Sequence, residues 1–456
     1  MDAEVKAPLS NEKKSRFLLA GILALALLLR LGLLVGMGDY LQRAVLPDTD
    51  DYIAPAVALL QTGAYPEDEG FRTPVYPLFI ALVFLLFGQN LLALGVAQAL
   101  ISTASVYLTW LIASRFLPGR VALTASAILS LSMLSITYTF FLVTETLFTF
   151  LLLVSTWFWL RGVQSTNRLF WCLAGFGFGL AVLCRPIGLV YPFLLVVPAL
   201  LNRRSPLKSR LLSQALFMSV LVLTLTPWVV RNARVVGMPV ISTVTNVNLY
   251  FYNAVALEAN LHGISENEMR QEFVERVSRA VQDAGLPDTT GSRVKLYGTL
   301  ARRIISTHPL RYLYLHLKSD LNTLIPDVTG LTEIFGLTIG GRGTLSVLNQ
   351  YGVQAAIQHY FGNQAWLLWI FAPVILLHGL FYLSALIGIP VTFQHCKIAG
   401  LAVLILPVAY FLLAPGAPSL PRFRVPVTPA LSMLAAAGIF HLYARLFSSP
   451  RGANDS

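Results

Sequence analysis

Long apolar runs separated by short polar segments make up most of this chain. Ten of them approach or reach the roughly 20 residues that an α-helix needs to cross a bilayer. They cover residues 17–38, 91–114, 121–138, 145–160, 169–184, 187–201, 210–230, 366–390, 398–414 and 425–446. A further apolar run, 74–88, would extend only about 22 Å as a helix, so a re-entrant or interfacial helix is predicted there. The pattern predicts an all-α polytopic integral membrane protein.

The basic residues orient the predicted helices. Every second connection is rich in lysine and arginine, and so are both ends of the chain. These basic connections are 115–120, 161–168, 202–210 and the one that contains Lys397. Basic connections mark the cytoplasmic side, so residues 1–16 and 447–456 are predicted to be cytoplasmic. Counting 74–88 as a span would break this alternation.

The apolar runs and the basic connections together predict how the chain is organised. Residues 17–230 form a transmembrane module whose first outer loop is 39–90, and 366–446 form the C-terminal transmembrane helices. Between them lies a large outer segment, 231–365. Two stretches of that segment have helical spacing, 266–285 and 308–326, and the second is typical of a helix lying in the membrane interface.

Composition supports the membrane assignment. Of 456 residues, 56% are hydrophobic and 12% are charged, about half the charged fraction of a soluble domain. The net charge of +11 therefore reflects membrane orientation and does not predict nucleic-acid binding. Cys172 and Cys184 would lie about 18 Å apart along one helix, too far for a disulfide, and no metal-ligand spacing of cysteines is present. The basic residues before the run 17–38 resemble a signal peptide, but no cleavage motif follows, so an uncleaved first helix is predicted.

The stretch LPDTDDYIAP (46–55) concentrates three carboxylates, Asp48, Asp50 and Asp51, in the first outer loop. The D-x-D form is the one with which nucleotide-sugar transferases hold a metal ion. Those enzymes carry it in a soluble nucleotide-binding domain that this sequence does not show, so no metal cofactor is firmly implied. A divalent cation at Asp50 and Asp51 stays open as an alternative. Otherwise these two are solvated acids, or Asp51 helps to place an acceptor.

Six arginines are predicted at the outer membrane boundary, most of them beside a proline or a helix end. They are Arg72, Arg185, Arg231, Arg234, Arg422 and Arg424. Guanidinium groups match phosphate oxygens with paired hydrogen bonds, so the cluster indicates a bound anion. The alternative is that each extends to lipid headgroups or pairs with a loop acid. Arg30, inside the first helix, would pair with Asp39 or join the same site.

Glu145 is the only carboxylate between Gly70 and Leu257. An ionisable group at the start of an apolar helix is costly without a partner, which makes it a candidate site residue. A simple acid at a helix N-terminus is the alternative.

Several short motifs occur in a defined order. The first are P-D-T-D-D-Y (47–52), A-x-x-L-x-x-x-G-x-Y (56–65) and R-T-P-V-Y-P-L-F (72–79). T-E-T-L-F (144–148), C-R-P-I-G-L (184–189), P-W-V-V-R-N-A-R-V-V-G (227–237) and R-F-R-V-P-V-T-P (422–429) follow. This ordered series resembles the GT-C membrane glycosyltransferases of family 39, which include protein O-mannosyltransferases and lipid A aminoarabinose transferases. The resemblance covers most of 17–446 and is thin over 255–365.

The resemblance implies a hexosyl- or pentosyltransferase with a polyprenyl-phosphate sugar as donor and a lipid, glycan or protein hydroxyl as acceptor. It implies a bacterial inner membrane location, a site facing the periplasm or cell exterior, and a role in modifying lipopolysaccharide or another envelope glycan. Asp48 takes the position of the general base, and Thr49 stands where relatives often have Glu. Glu145 and Asp51 are expected to support catalysis.

The resemblance also sorts the remaining candidates. Arginines in the matching motifs are expected near the donor phosphate: Arg72, Arg185, Arg231, Arg422 and Arg424. Candidates for lining the substrate path are Tyr52, Tyr65, Tyr76 and Asn232, although tyrosines also favour membrane interfaces.

Two other functions fit the same charges. A transporter or flippase of lipid-linked sugars would also use interfacial arginines, but transporters tend to show repeats and midplane sites, and neither is found in this sequence. A transferase with pyrophosphate-linked oligosaccharide donors stays open, because the same arginines would suit a pyrophosphate.

Overall fold

The computed structural model describes residues 9–36, 43–66, 70–327, 330, 332, 334, 344–364 and 366–447. Within these residues every regular element is helical, which confirms the predicted all-α class. The first half of the chain contains α1 (Leu9–Gly36), α2 (Pro47–Thr62), α3 (Val75–Phe87), α4 (Leu91–Ala113), α5 (Gly119–Ser130), α6 (Met133–Phe140), α7 (Glu145–Gln164), α8 (Leu169–Cys184), α9 (Tyr191–Leu201) and α10 (Leu207–Val235).

The second half begins with the helices of the outer segment and ends with three apolar helices. They are α11 (Val244–Asn248), a π-helical turn (Leu249–Ala254), α12 (Val255–His262), α13 (Glu266–Asp283), α14 (Thr290–Thr307), α15 (Pro309–Asp320), α16 (Thr344–Phe361), α17 (Leu367–His395), α18 (Ile398–Leu413) and α19 (Thr428–Phe447). Short 3₁₀ turns occur at Pro186–Gly188, Leu321–Leu324, Gly362–Gln364 and Pro421–Val427.

All ten predicted runs fall on helices. Among the described residues, six helices are long and apolar enough to cross a membrane, and a seventh span results if α5 and α6 count as one. Three of the other predicted spans, in α8, α9 and α18, are shorter apolar helices. The number of crossings therefore stays a prediction.

The run 121–138 needs a correction, because it is two helices that meet at a bend of 48°. Arg30 of α1, 1% exposed, lies against this bend. It donates hydrogen bonds to the Ser130 carbonyl at 3.3 Å and to Ser135 Oγ at 3.2 Å, and to Ser102 Oγ at 2.7 Å. A break frees backbone carbonyls that a buried donor can satisfy. Arg30 is thus a structural cation, and its predicted partner Asp39 lies outside the described residues.

Helix α3 is the predicted re-entrant or interfacial element. One side of it is buried, including Tyr76, Ile80 and Phe84, and the other exposes Leu82, Leu85, Leu86 and Phe87. Its 13 residues would extend only about 20 Å. A helix of this length with one apolar face toward its surroundings is typical of an interfacial segment.

The outer segment has a hydrophobic core of its own, centred on Tyr250, Phe273, Val277 and Ala301. Helix α15 runs along its edge with two distinct faces. One exposes an apolar stripe at the spacing of a single helical face, Leu310, Leu313, Tyr314 and Leu317, which continues into Leu321 of the following 3₁₀ turn. The opposite face turns polar side chains inward. This arrangement supports the prediction that the helix within 308–326 lies in the membrane interface.

Glycines allow α17 and α19 to pack backbone against backbone. A Cβ atom at Gly388 would overlap the carbonyl oxygen of Leu434, and one at Gly438 would overlap that of Ser384. This contact fixes α19, which continues directly from the Pro421–Val427 turn and so positions the arginines of that turn.

Gly388→Ala is expected to destabilise the protein by about 1–3 kcal/mol, because the two backbones must separate to admit a methyl group. Thermal unfolding of the purified protein in detergent measures the effect. The matched control is Gly379→Ala in the same helix, where a Cβ meets nothing within 4 Å. Equal melting temperatures for the two variants would show that the close packing of α17 and α19 does not stabilise the fold.

Candidate active site

A pocket of about 420 Å³ opens where α2, the start of α7, the end of α8 and the Pro421–Val427 turn meet. Charged or polar side chains on its wall include Asp48, Tyr52, Arg72, Glu145, Arg185, Asn253, Tyr312, His316 and Arg422. Its three arginines and two carboxylates all come from sequence-predicted motifs far apart in the chain. The fold therefore brings the predicted motifs together at one place.

Asp48 lies in the first turn of α2, directly after Pro47 at the helix start. Thr49, where relatives of the resembled family often have Glu, is fully buried and does not reach the pocket. Its Oγ1 accepts a hydrogen bond from the Leu46 amide at 2.9 Å, as the third residue of a capping box does. Thr49 thus fixes the helix start that holds Asp48 in place.

Two arginines hold the Asp48 carboxylate. Arg72 Nη2 donates to Oδ1 at 2.9 Å, and Arg422 Nη1 donates to Oδ2 at 2.7 Å. Burial alone would raise the pKa of Asp48, but Arg422 and Arg72 outweigh burial and lower it below its usual value. Asp48 is therefore an ionised carboxylate with one oxygen on each arginine.

Arg72 also connects the neighbouring side chains of α2. Its Nη2 donates to Asp51 Oδ2 at 2.7 Å, and its Nη1 donates to the Tyr52 hydroxyl at 3.1 Å. Tyr52 is buried, which raises its pKa and keeps its proton. Because the Tyr52 oxygen accepts from Arg72, its own O–H proton remains available to donate to a substrate in the pocket.

Glu145 is the first residue of α7 and only 1% exposed. It forms an ion pair with Arg185, and its Oε1 lies 3.8 Å from Arg422 Nε. Thr144 Oγ1 donates to Glu145 Oε2 at 3.4 Å and accepts from Arg185 Nη1 at 3.1 Å. A chain of alternating charges results: Asp51, Arg72, Asp48, Arg422, Glu145 and Arg185.

Four other predicted residues, all grouped around the α3 and α10 helices, do not line this pocket. Arg231 stacks on Trp228 at 4.6 Å and donates to Asn232 Oδ1 at 2.9 Å. Asn232 is fully buried and donates to the Val240 carbonyl at 2.9 Å. Tyr65 packs edge-on against Trp228. The hydroxyl of Tyr76 donates to Gln98 Oε1 at 3.0 Å in the core.

Arg424 lies two residues beyond Arg422 but faces a different cavity. Its Nη1 donates to the carbonyls of Thr323 at 2.7 Å and Ile325 at 3.2 Å and to the Tyr382 hydroxyl at 2.5 Å. The Pro421–Val427 turn therefore presents its two arginines to opposite sides. The predicted phosphate-binding set narrows to Arg72, Arg185 and Arg422 in this pocket.

The outer segment also contributes to the pocket wall, and three of its polar side chains there, Asn253, Tyr312 and His316, belong to none of the sequence motifs. The Tyr312 hydroxyl donates to Asn253 Oδ1 at 3.2 Å and lies 3.1 Å from His316 Nδ1. The orientation of the Asn253 amide is set because its Nδ2 donates to the Asn248 carbonyl at 3.1 Å. Asn253, Tyr312 and His316 therefore form one hydrogen-bonded group on this wall of the pocket.

The other nitrogen of His316 faces the loop 413–420. Nε2 lies 2.9 Å from the Leu413 carbonyl and 3.4 Å from Asp320 Oδ2. Asp320 Oδ1 accepts from the Gly416 amide and from Ser419 Oγ, both at 2.8 Å. The pair therefore fastens α15 to the loop 413–420 that leads into Arg422.

The spacing of the inward-facing side chains of α15 is visible in the sequence. Tyr312, His316 and Asp320 are four residues apart, on the helical face opposite the leucine stripe of α15. Among the described residues, no group of three or more His, Cys, Asp or Glu side chains is placed to hold a metal ion.

Asp320→Asn is expected to loosen the loop 413–420, because a neutral amide replaces the buried carboxylate that accepts from the Gly416 amide and Ser419 Oγ. Breaking such a buried charged contact costs on the order of 1–3 kcal/mol. Amide hydrogen exchange across 413–420 should rise, together with a lower melting temperature. The control is Glu275→Gln in the exposed Glu275–Arg279 pair of α13, and unchanged exchange in Asp320→Asn would contradict the role given to this pair.

Residues 71–230 match the family model of dolichyl-phosphate-mannose-protein mannosyltransferase. This segment contains Arg72, Glu145 and Arg185 of the pocket. No curated protein matches the chain.

Solved structures with a similar course of the chain are larger proteins. The archaeal oligosaccharyltransferase AglB from Archaeoglobus fulgidus, in complex with an inhibitory peptide and a dolichol-phosphate, is 13% identical with a TM-score of 0.46, over 93% of this chain and 52% of that chain. ArnT from Cupriavidus metallidurans, bound to undecaprenyl phosphate, is 14% identical with a TM-score of 0.46, over 92% of this chain and 60% of that chain. This chain thus spans about half of AglB and three-fifths of ArnT. The family match confirms, for residues 71–230, the resemblance to membrane glycosyltransferases of the GT-C family 39 type.

Proposed function

We propose that this protein is a membrane glycosyltransferase that moves a sugar from a polyprenyl-phosphate donor to an acceptor hydroxyl, with Asp48 as general base. The observation that carries the proposal is the placement of the Asp48 carboxylate between Arg72 and Arg422 in one pocket. A proton acceptor and two phosphate-binding cations therefore lie within reach of the same reacting group. The family match over 71–230 supports this reaction class.

The charges of the pocket suit a sugar phosphodiester. Its charged lining residues are the three arginines Arg72, Arg185 and Arg422 and the two acids Asp48 and Glu145, and the half-exposed Asp51 beside the pocket pairs with Arg72. A polyprenyl-phosphate sugar carries a single negative charge on its phosphate, which would take the place of an acid as partner of these arginines.

The proposed reaction leaves the net charge of the occupied site unchanged. The acceptor oxygen attacks the anomeric carbon, the bond from that carbon to the phosphate oxygen breaks, and the acceptor proton passes to Asp48. The leaving phosphate gains one negative charge as Asp48 loses one. The arginines line the same pocket, so once they contact the donor phosphate they would stabilise the new charge that develops on it.

Donor binding would also strengthen the base. Without donor, Arg422 and Arg72 hold the pKa of Asp48 low, and such a carboxylate is a weak proton acceptor. When the arginines turn toward a phosphate, their hold on Asp48 weakens and its pKa rises toward the ordinary range. The base would therefore become effective only with donor present, which limits unproductive loss of the donor sugar to water.

Glu145 is better suited to positioning than to proton transfer. It is enclosed, and Arg185, Arg422 and Thr144 surround its carboxylate. Removing its charge would free Arg185 and Arg422 to adopt other orientations. We assign it the task of aiming these two arginines at the donor phosphate.

The wider setting follows the predicted topology. The pocket would face the periplasm or cell exterior of a bacterial inner membrane, both termini would be cytoplasmic, and the acceptor would be a lipid, glycan or protein of the cell envelope. A transporter of lipid-linked sugars would use the arginines but would not need Asp48 as a base. Consumption of the donor distinguishes the two.

Asp48→Asn is expected to lower sugar transfer by about 10²–10⁴-fold, the usual contribution of a general base. The assay incubates purified protein with a panel of polyprenyl-phosphate sugars and acceptors and follows the release of free polyprenyl phosphate. Donor binding, measured separately, should persist. The matched control is Asp50→Asn, whose side chain is exposed on the same helix turn.

Near-normal turnover in Asp48→Asn would show that the base is another group. Lipid crossing the bilayer without consumption of any donor would favour the transporter.

Arg422→Gln is expected to move the acid limb of the kcat/KM profile to higher pH. Asp48 acts as base only when deprotonated, and the wild-type arginines lower its pKa, so wild-type activity persists to lower pH. Removing Arg422 raises that pKa and brings the loss of activity nearer neutrality. A pH titration of kcat/KM checks this, with Arg293→Gln in the exposed Asp288–Arg293 pair as control. An unshifted acid limb would mean that Asp48 does not govern it.

A further inference from the structure

A second cavity, of about 790 Å³, lies between α1, the bend of α5 and α6, and the helices α17 and α19. It shares no lining residue with the Asp48 pocket. Its walls are mostly apolar, with leucines from three helices. We call it the α1–α17 groove.

The mouth of this groove opens toward the membrane. Leu28, Leu131 and Leu377 line it and are 67%, 59% and 65% exposed. Leu28 and Leu377 lie on helices long and apolar enough to span a bilayer. Exposed leucines at such positions contact lipid, so bilayer lipids reach the groove by lateral diffusion.

The inner end of the groove is polar. Arg424 lines it and is only 2% exposed. Its Nη1 serves Thr323, Ile325 and Tyr382, whereas its Nη2 is buried and makes no hydrogen bond within the described part of the chain. Ser432 Oγ, on the same wall, is also buried and also makes no hydrogen bond within the described part of the chain. A guanidinium nitrogen without an acceptor in an apolar surrounding is costly, so its position points to an external acceptor.

Arg424 makes no direct ion pair at this end. No described carboxylate lies within ion-pair distance of it, although Asp327 attracts its charge. His378, the other titratable side chain on the groove wall, adds no negative charge. One fixed cation thus stands at the end of an apolar groove open to lipid.

We infer that the α1–α17 groove binds an anionic phospholipid, with its acyl chains along the leucine walls and its phosphodiester on Arg424. A phosphodiester carries one negative charge, which a single arginine matches, and its oxygens supply the acceptor that Nη2 lacks. A neutral lipid would leave the charge unbalanced. The inference goes beyond the proposed function and does not depend on it, because it concerns a separate cavity.

Native mass spectrometry of the full chain, with phosphatidylglycerol as probe and phosphatidylcholine as the neutral comparison, tests the inference. Wild type is expected to retain phosphatidylglycerol in preference to phosphatidylcholine. Gly32→Leu should weaken this binding about tenfold, because Gly32 lines the groove and a side chain there meets nothing within 4 Å, so it fills the space that the lipid needs. Gly21→Leu is the matched control, on the same helix, equally unobstructed and away from the groove.

Arg424→Gln should abolish the preference for phosphatidylglycerol over phosphatidylcholine. Equal retention of the two lipids by wild type, or unchanged binding in Gly32→Leu, would overturn the inference. Displacement of phosphatidylglycerol by undecaprenyl phosphate in a manner that depends on Gly32 would also overturn it, in favour of a path for the donor chain. Lipid retention is measured without sugar transfer, so failure of the proposed function leaves this test unaffected.

Discussion

The structure of the candidate site depends on one constraint: charges removed from water must be neutralised by neighbours. Arg422 satisfies it for two acids at once, since it donates to Asp48 and lies beside Glu145. Arg72 forms a second ion pair with Asp48, and Arg185 forms one with Glu145. Glu145 is the most buried member, and breaking its ion pair with Arg185 would leave a buried charge poorly compensated, which costs several kcal/mol. The cluster is therefore held together by the same interactions that a donor phosphate would have to exchange.

The loop 413–420 and helix α15 contribute to the site indirectly, because they fix the position of Arg422. Arg422 follows the loop directly, and the loop is fastened through Gly416 and Ser419 to Asp320. The apolar stripe of α15 faces outward while His316 and Asp320 face inward. The position of Arg422, which we propose binds the donor phosphate, is thus tied to a helix predicted to rest in the membrane interface, where a lipid-linked donor would arrive.

Much of this could be predicted from the sequence, for physical reasons. Twenty-residue apolar runs have few alternatives to a membrane helix, and an isolated Glu145 or Arg185 at the edge of such a run needs a partner. Their mutual contact follows from that need. The break between α5 and α6 could not be predicted, because Arg30 stabilises it from another helix.

The different surroundings of Arg422 and Arg424 also could not be predicted from the sequence. Arg422 and Arg424 stand in one motif beside prolines, and nothing local separates them. Only the packing of the Pro421–Val427 turn decides that the first meets Asp48 and the second meets carbonyls of the outer segment. In a 3₁₀ turn three residues complete one revolution, so positions two apart point well away from each other. One short turn therefore supplies a cation to each of two cavities, a charged pocket with three arginines and an apolar groove with one. The two cavities differ in their other groups: the pocket of Arg422 also holds the carboxylates Asp48 and Glu145, whereas no described carboxylate forms an ion pair with Arg424.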